Sequence, residues 1–181
     1  MGVLNTSLKD SIQNFRKNLA LIGDVIIMPD NNSKKLKKAI RSIAPGQNLG
    51  SEPILLQVDN TLFRSGKQGI IFTPTKLYSY SSISGRFSID YENINSVSPQ
   101  VRRALGNAQL GIVVNGLNFL SLPGMTENYG HLRDIVEWEG IPIPADLTPA
   151  VLYFSVFLHK AFDCELVLER ESDPGPPPWY N

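Results

Sequence analysis

Lys34, Lys35, Lys37, Lys38 and Arg41 place five cations within eight consecutive positions, and the chemistry open to such a run is electrostatic. Leu36 and Ile40 stand one helical turn apart among them, so the spacing predicts a helix with those two residues facing inward. Cations in a first helical turn oppose the macrodipole, at about 0.3–1 kcal/mol each when exposed. Two readings follow. Either the run is a solvated face, or it is kept for an anionic partner such as an acidic protein surface or a phosphate-bearing lipid head group. No aromatic side chain interleaves the cations, so base stacking is not expected and no nucleic-acid partner is predicted. Arg64 and Lys67 add two more cations in a glycine-containing loop from Thr61 to Gln68.

Catalytic chemistry has less to work with. His131 and His159 fall on different expected helices, and His159 with Cys164 lacks the spacing of a zinc site. There is no G-x-S-x-G elbow and no phosphate-cradling glycine motif, and Asp30-Asn31-Asn32 lacks the later glycine and distal glutamate of a calcium loop. The sequence therefore predicts no catalytic or metal site, no cofactor and no small-molecule substrate. At the far end, Trp179 and Tyr180 follow Pro176, Pro177 and Pro178. That tail reads either as an extended polyproline ligand for a partner or as a plain disordered end.

Charge and composition bound the partners further. Seventeen Lys+Arg balance 17 Asp+Glu over 181 residues, so attraction to an anion must come from a local patch rather than from the whole chain. Cys164 stands alone and allows no internal disulfide. The most apolar run, Val151 to Leu158, is far short of the ~20 residues of a membrane span. A soluble, cytoplasmic protein is the expectation.

Several elements must position these residues. Leu8, Ile12, Phe15, Leu19 and Ile22 form one helical stripe, with Thr6 or Ser7 as the expected N-cap and Gly23 as the stop. The basic helix runs from Ser33 to about Ala44 and ends at Pro45-Gly46. From Ser51 the period falls to two. Ile54, Leu56 and Val58 are expected on one strand face with Leu55 on the other, followed by runs at 69–72, 77–80 and 87–91. Asn115-Gly116 between GIVV and LNFL signals a type I′ hairpin. Thr126 caps an expected helix carrying Tyr129, Leu132, Ile135 and Val136, and Thr148-Pro149 opens a second, strongly apolar helix to about Phe162. Glu165 to Glu169 reads as a closing strand. The aromatic set Phe72, Tyr78, Tyr80, Phe87 and Tyr91 reads as packing.

With these elements in place, residues 33 to about 139 resemble the bacterial pleckstrin-homology-like (PH-like) domains. The likeness rests on SKKLKKAIRSIA, ILLQVDNTLFRSGKQ, GIIFT, PTKLYSY and FSIDYENI. It implies an α+β fold: a bent antiparallel β-barrel of about seven strands, capped by a C-terminal helix, with extra N- and C-terminal helices. The corresponding division is a helical extension over 1–50, the barrel and capping helix over 51–140, an added apolar helix and short strand over 141–171, and a Pro-rich tail over 172–181. Relatives that bind phosphoinositides use a basic first loop; here that loop offers only Arg64 and Lys67, without the K-x(n)-[KR]-x-R pattern. The resemblance thus implies a non-enzymatic interaction module that binds a protein partner or itself. The alternatives are a peripheral anionic-lipid or phosphate binder using the basic helix, and an immunity-type protein neutralising a toxin.

Overall fold

The computed structural model describes residues 3–20, 22, 25–30, 33–49, 53–61, 65–82, 84–104, 107–122 and 147–168. Within them the chain is α+β. Helix α1 (Val3–Leu19) leads into strand β1 (Val25–Ile27), helix α2 (Lys34–Ile43) and strands β2 (Leu56–Asp59), β3 (Gly69–Phe72), β4 (Lys76–Ser81) and β5 (Gly85–Asp90). A 3₁₀ turn at Tyr91–Asn93 follows, then β6 (Ser96–Ala104), β7 (Asn107–Val114), β8 (Asn118–Ser121), helix α3 (Pro149–Phe162) and β9 (Glu165–Leu166).

Among the described residues the strands form two sheets and no closed barrel: an antiparallel one ordered β1-β2-β3-β4-β5, and one ordered β8-β7-β6-β9. This differs from the expected single barrel of about seven strands, because two strands were hidden in the sequence. In β6, Pro99 interrupts what would otherwise read as a strand. It is accommodated because β9 pairs in parallel only with Ser96 and Val97, so the side of β6 opposite β7 is open at Pro99 among the described residues. In β1, three residues are too few to show a period.

The β4–β5 hairpin has the alternation read from the sequence, with Phe87 opposite Ser79 and Ile89 opposite Leu77. Asn115 and Gly116, at φ 53° and 70°, supply the two positive-φ positions of the β7–β8 turn. At β2 the expected face assignment is wrong. Leu56 pairs with Phe72 while the Leu55 amide also donates to the Phe72 carbonyl at 2.8 Å. Two residues therefore oppose one, as in a bulge. Leu55, Leu56 and Val58 all reach the main core, and Ile54 turns to the other face.

Two apolar clusters result. The larger joins the inner faces of both sheets to α1 and α3, with Leu8, Ile12, Leu19 and Ile22 of the N-terminal stripe buried in it. α1 starts at Val3, ahead of the expected caps Thr6 and Ser7, and Gly23 lies outside the described residues. In α3 every residue but Pro149, His159 and Lys160 is buried, after an N-cap at Thr148 whose side chain accepts from the Val151 amide. The buried Ser155 hydroxyl is satisfied within the helix, donating to the Val151 carbonyl at 2.8 Å. Phe154 packs edge-on to Phe72 with ring centroids 6.3 Å apart, and Tyr91 stacks on Phe162 at 4.6 Å. The smaller cluster lies on the other face of the first sheet, where Leu36, Ala39 and Ile43 of α2 cover Ile71 and Tyr78. The aromatic set is thus divided: Phe72, Phe87 and Tyr91 pack with the larger cluster, Tyr78 and Tyr80 with the smaller. The expected helix from Thr126 lies outside the described residues.

Candidate functional site

α2 holds its start through Ser33, whose hydroxyl accepts from the Leu36 amide at 3.1 Å, and its end through Ala44, whose amide donates to the Ile40 carbonyl at 2.9 Å. At about 100° per residue, the buried Leu36, Ala39 and Ile43 share one side. Lys34, Lys37, Lys38 and Arg41 occupy an arc of about 100° on the opposite side, and all four are exposed. The helix therefore turns four cations toward solvent because its apolar stripe is pinned to β3 and β4.

Lys35 stands apart from the other four. Its ammonium lies 3.0 Å from Asp59 Oδ2, and Asp59 is wholly buried at the end of β2. An ionised carboxylate out of water needs every lone pair answered. Oδ1 accepts from the Thr61 amide at 3.1 Å and the Thr61 hydroxyl at 2.6 Å, and Oδ2 also accepts from the Gly66 amide at 3.0 Å. The Thr61 hydroxyl in turn accepts from the Ser65 amide at 2.6 Å. Burial alone would raise the Asp59 pKa, but the hydrogen bonds from Thr61 and Lys35, with the Lys35 charge, outweigh it and hold it below its ordinary 3.8. Gly66 sits at φ +70°, and a Cβ there would lie 3.2 Å from the Lys35 carbonyl. The β2–β3 loop is in this way clamped onto α2, and Lys35 is the clamp's cation.

The loop and the next hairpin extend the basic surface. Ser42 donates its hydroxyl to the Lys67 carbonyl at 2.6 Å, and its own carbonyl accepts from Arg86 Nε at 2.8 Å. Arg86 also lies over the Tyr80 ring, 3.9 Å from its centroid. Exposed Lys67 and Arg86 are thereby held beside the C-terminal turn of α2, where cations suit the helix dipole. The structure brings Lys34, Lys37, Lys38, Arg41 and Lys67 onto this surface and adds Arg86. Arg64, Trp179 and Tyr180 lie outside the described residues.

Sequence reasoning missed the Asp59 clamp and Arg86. The signal for the first was an acid at the end of the apolar ILLQVD run, which when buried requires a cation. The signal for the second was the alternation of β5, which puts Arg86 on the face away from Phe87 and Ile89.

The other perturbed groups are explained by packing. Tyr91 donates to the Thr73 carbonyl at 2.6 Å, and burial raises its pKa far above the ordinary value. Burial pushes the Cys164 thiol up to about 11. His159 Nδ1 contacts the Cys164 carbonyl at the end of α3. Among the described residues no group of three or more His, Cys, Asp or Glu could hold a metal ion, and no helix is long and apolar enough to cross a membrane. Compared with known protein families, characterised proteins and solved structures, the chain matches none.

Proposed function

We propose that this protein is a non-enzymatic interaction module of PH-like fold that engages an acidic protein partner through the exposed basic face of α2. One observation carries the reading. Lys35 is committed to Asp59, while Lys34, Lys37, Lys38 and Arg41 sit on one exposed face with no ion pair among the described residues. Lys34 and Lys37 lie in the first turn and work against the helix dipole, so stability does not explain their presence. A chain of zero net charge that gathers cations on one helix has built a local field suited to a complementary surface. The PH-like reading draws support from the two antiparallel-rich sheets sharing one core, and from β2 ending in an acid ahead of a glycine-bearing loop. The non-enzymatic reading draws support from Asp59, Tyr91 and Cys164, whose shifts all follow from packing.

A labelled deca-glutamate peptide, followed by fluorescence anisotropy at about 50 and 300 mM salt, tests the proposal. The protein binds it at low salt and more weakly at high salt. Reversing Lys34, Lys37, Lys38 and Arg41 to Glu together weakens binding at least about tenfold, while Lys35→Met leaves it within about threefold. Equal binding by the reversed variant overturns the proposal. Binding to phosphatidylserine vesicles without binding to the peptide replaces it with the lipid reading.

A further inference from the structure

β5 ends the first sheet, and among the described residues no strand pairs with its outer side. The Tyr91 amide donates to the Thr75 carbonyl. Hydrogen-bonded pairs alternate along an antiparallel ladder, so Phe87 and Ile89 also turn their backbone groups toward β4. Arg86, Ser88 and Asp90 then direct their amides and carbonyls outward, which leaves these three alternate residues without a strand partner among the described residues.

The side chains along this edge are symmetric about Ser88. Arg86 and Asp90 stand two residues to either side of it and carry opposite charges; Phe87 and Ile89 stand one residue to either side and are both apolar. Laid antiparallel against a copy of itself with Ser88 on the two-fold axis, β5 sets Arg86 opposite the second copy's Asp90 at both ends. The outward groups of 86, 88 and 90 meet as hydrogen-bonded pairs. Phe87 then falls opposite Ile89 in the non-hydrogen-bonded positions, where side chains come closest. Phe87 and Ile89 are only partly buried within one chain. Edge strands usually carry like charges that repel a second edge. Within one chain Asp90 pairs with Lys76 at 3.0 Å and Arg86 donates to the Ser42 carbonyl; across the axis the same two charges also complement a copy of the strand.

We propose that two copies of this chain associate through β5, joining their first sheets into one continuous sheet across a two-fold axis. The edge adjoins the basic surface through Arg86 but contains none of Lys34, Lys37, Lys38 and Arg41, the four cations that the peptide test reverses, so either reading can fail without the other.

Sedimentation equilibrium between about 1 and 300 µM tests it. The protein passes from the mass of one chain to that of two as concentration rises. Ser88→Pro removes the outward amide at the axis without touching a β4–β5 hydrogen bond, and it abolishes the two-chain species. Arg86→Asp and Asp90→Arg each set like charges face to face and weaken association at least about tenfold; an equimolar mixture of the two recovers it, because each now complements the other. This recovery also shows that both variants are folded. A single-chain mass throughout overturns the proposal and leaves the edge to a strand from another protein. Association unaffected by Ser88→Pro, or no recovery in the mixture, overturns it equally.

Discussion

α3 buries every residue from Ala150 to Leu158 and again Ala161 and Phe162, whereas α2, on the other face of the first sheet, buries only Leu36, Ala39 and Ile43. Both helices are capped by a hydroxyl at their start, and both cover strands with apolar side chains. They differ in what the remaining surface is made of. α3 has almost no polar side left to present, and its removal from water contributes to the core shared by both sheets. α2 needs only one stripe for packing and leaves the opposite arc to four cations. If the proposed function holds, recognition falls on the exposed arc of α2 while most of the packing falls on α3, and each can be perturbed without the other.

The largest expected effect is in α3. Phe154→Ala deletes a wholly buried ring lying against Phe72 and Phe157 and costs about 3–5 kcal/mol in denaturant unfolding. Its folded fraction binds the acidic peptide as the parent does; a loss of affinity in that fraction would break the division between the two helices. The clamp comes next. Asp59→Asn removes the charge that answers Lys35 and costs about 2–3 kcal/mol near neutral pH. The sign of its pH dependence is set by the depressed folded pKa. The stabilisation from the carboxylate is present above the unfolded value of 3.8 and is lost as the pH falls through the lower folded value. The parent and Asp59→Asn curves therefore converge in acid. A gap that stays constant down to the acid transition would mean that Asp59 does not stabilise the fold as an anion.

Cys164 reports on α3 without changing it. With its thiol held at about 11 by burial, alkylation at pH 8 is slow in the parent and limited by opening of the structure. It accelerates in Phe154→Ala and not in variants of the α2 cations. The smallest stability effect is on α2 itself: Lys34→Glu and Lys37→Glu replace unfavourable charges in the first turn and raise stability by about 0.3–1 kcal/mol each, while they weaken peptide binding. Gain in one and loss in the other would place these residues in recognition. A loss of stability would show that they serve the fold.

Much of this division was legible in the residues. The apolar circumference of 149–162, the basic run after Ser33, the alternation of 85–90 and the Asn115-Gly116 turn are local signals, and local periodicity carries them. What escaped depended on contacts distant in sequence. β6 carries Pro99, a residue that argues against a strand unless its open side is known, and that side is set by the two-residue partner β9. The bulge at Leu55 and Leu56 exists only against Phe72. In the candidate site, Lys34, Lys37, Lys38 and Arg41 could be read as one group from spacing, but Lys35 could be separated from them only once Asp59 was seen to be buried. Arg86 joined them through a bond to Ser42 that no spacing rule anticipates.

The most direct test of the account is an amide NMR titration of ¹⁵N-labelled protein with the deca-glutamate peptide at low salt. The account predicts shift changes concentrated at Lys34, Lys37, Lys38 and Arg41, reversed by added salt, with the amides of α3 unmoved. Changes centred on any other surface, or none at peptide concentrations up to about 1 mM, would contradict it.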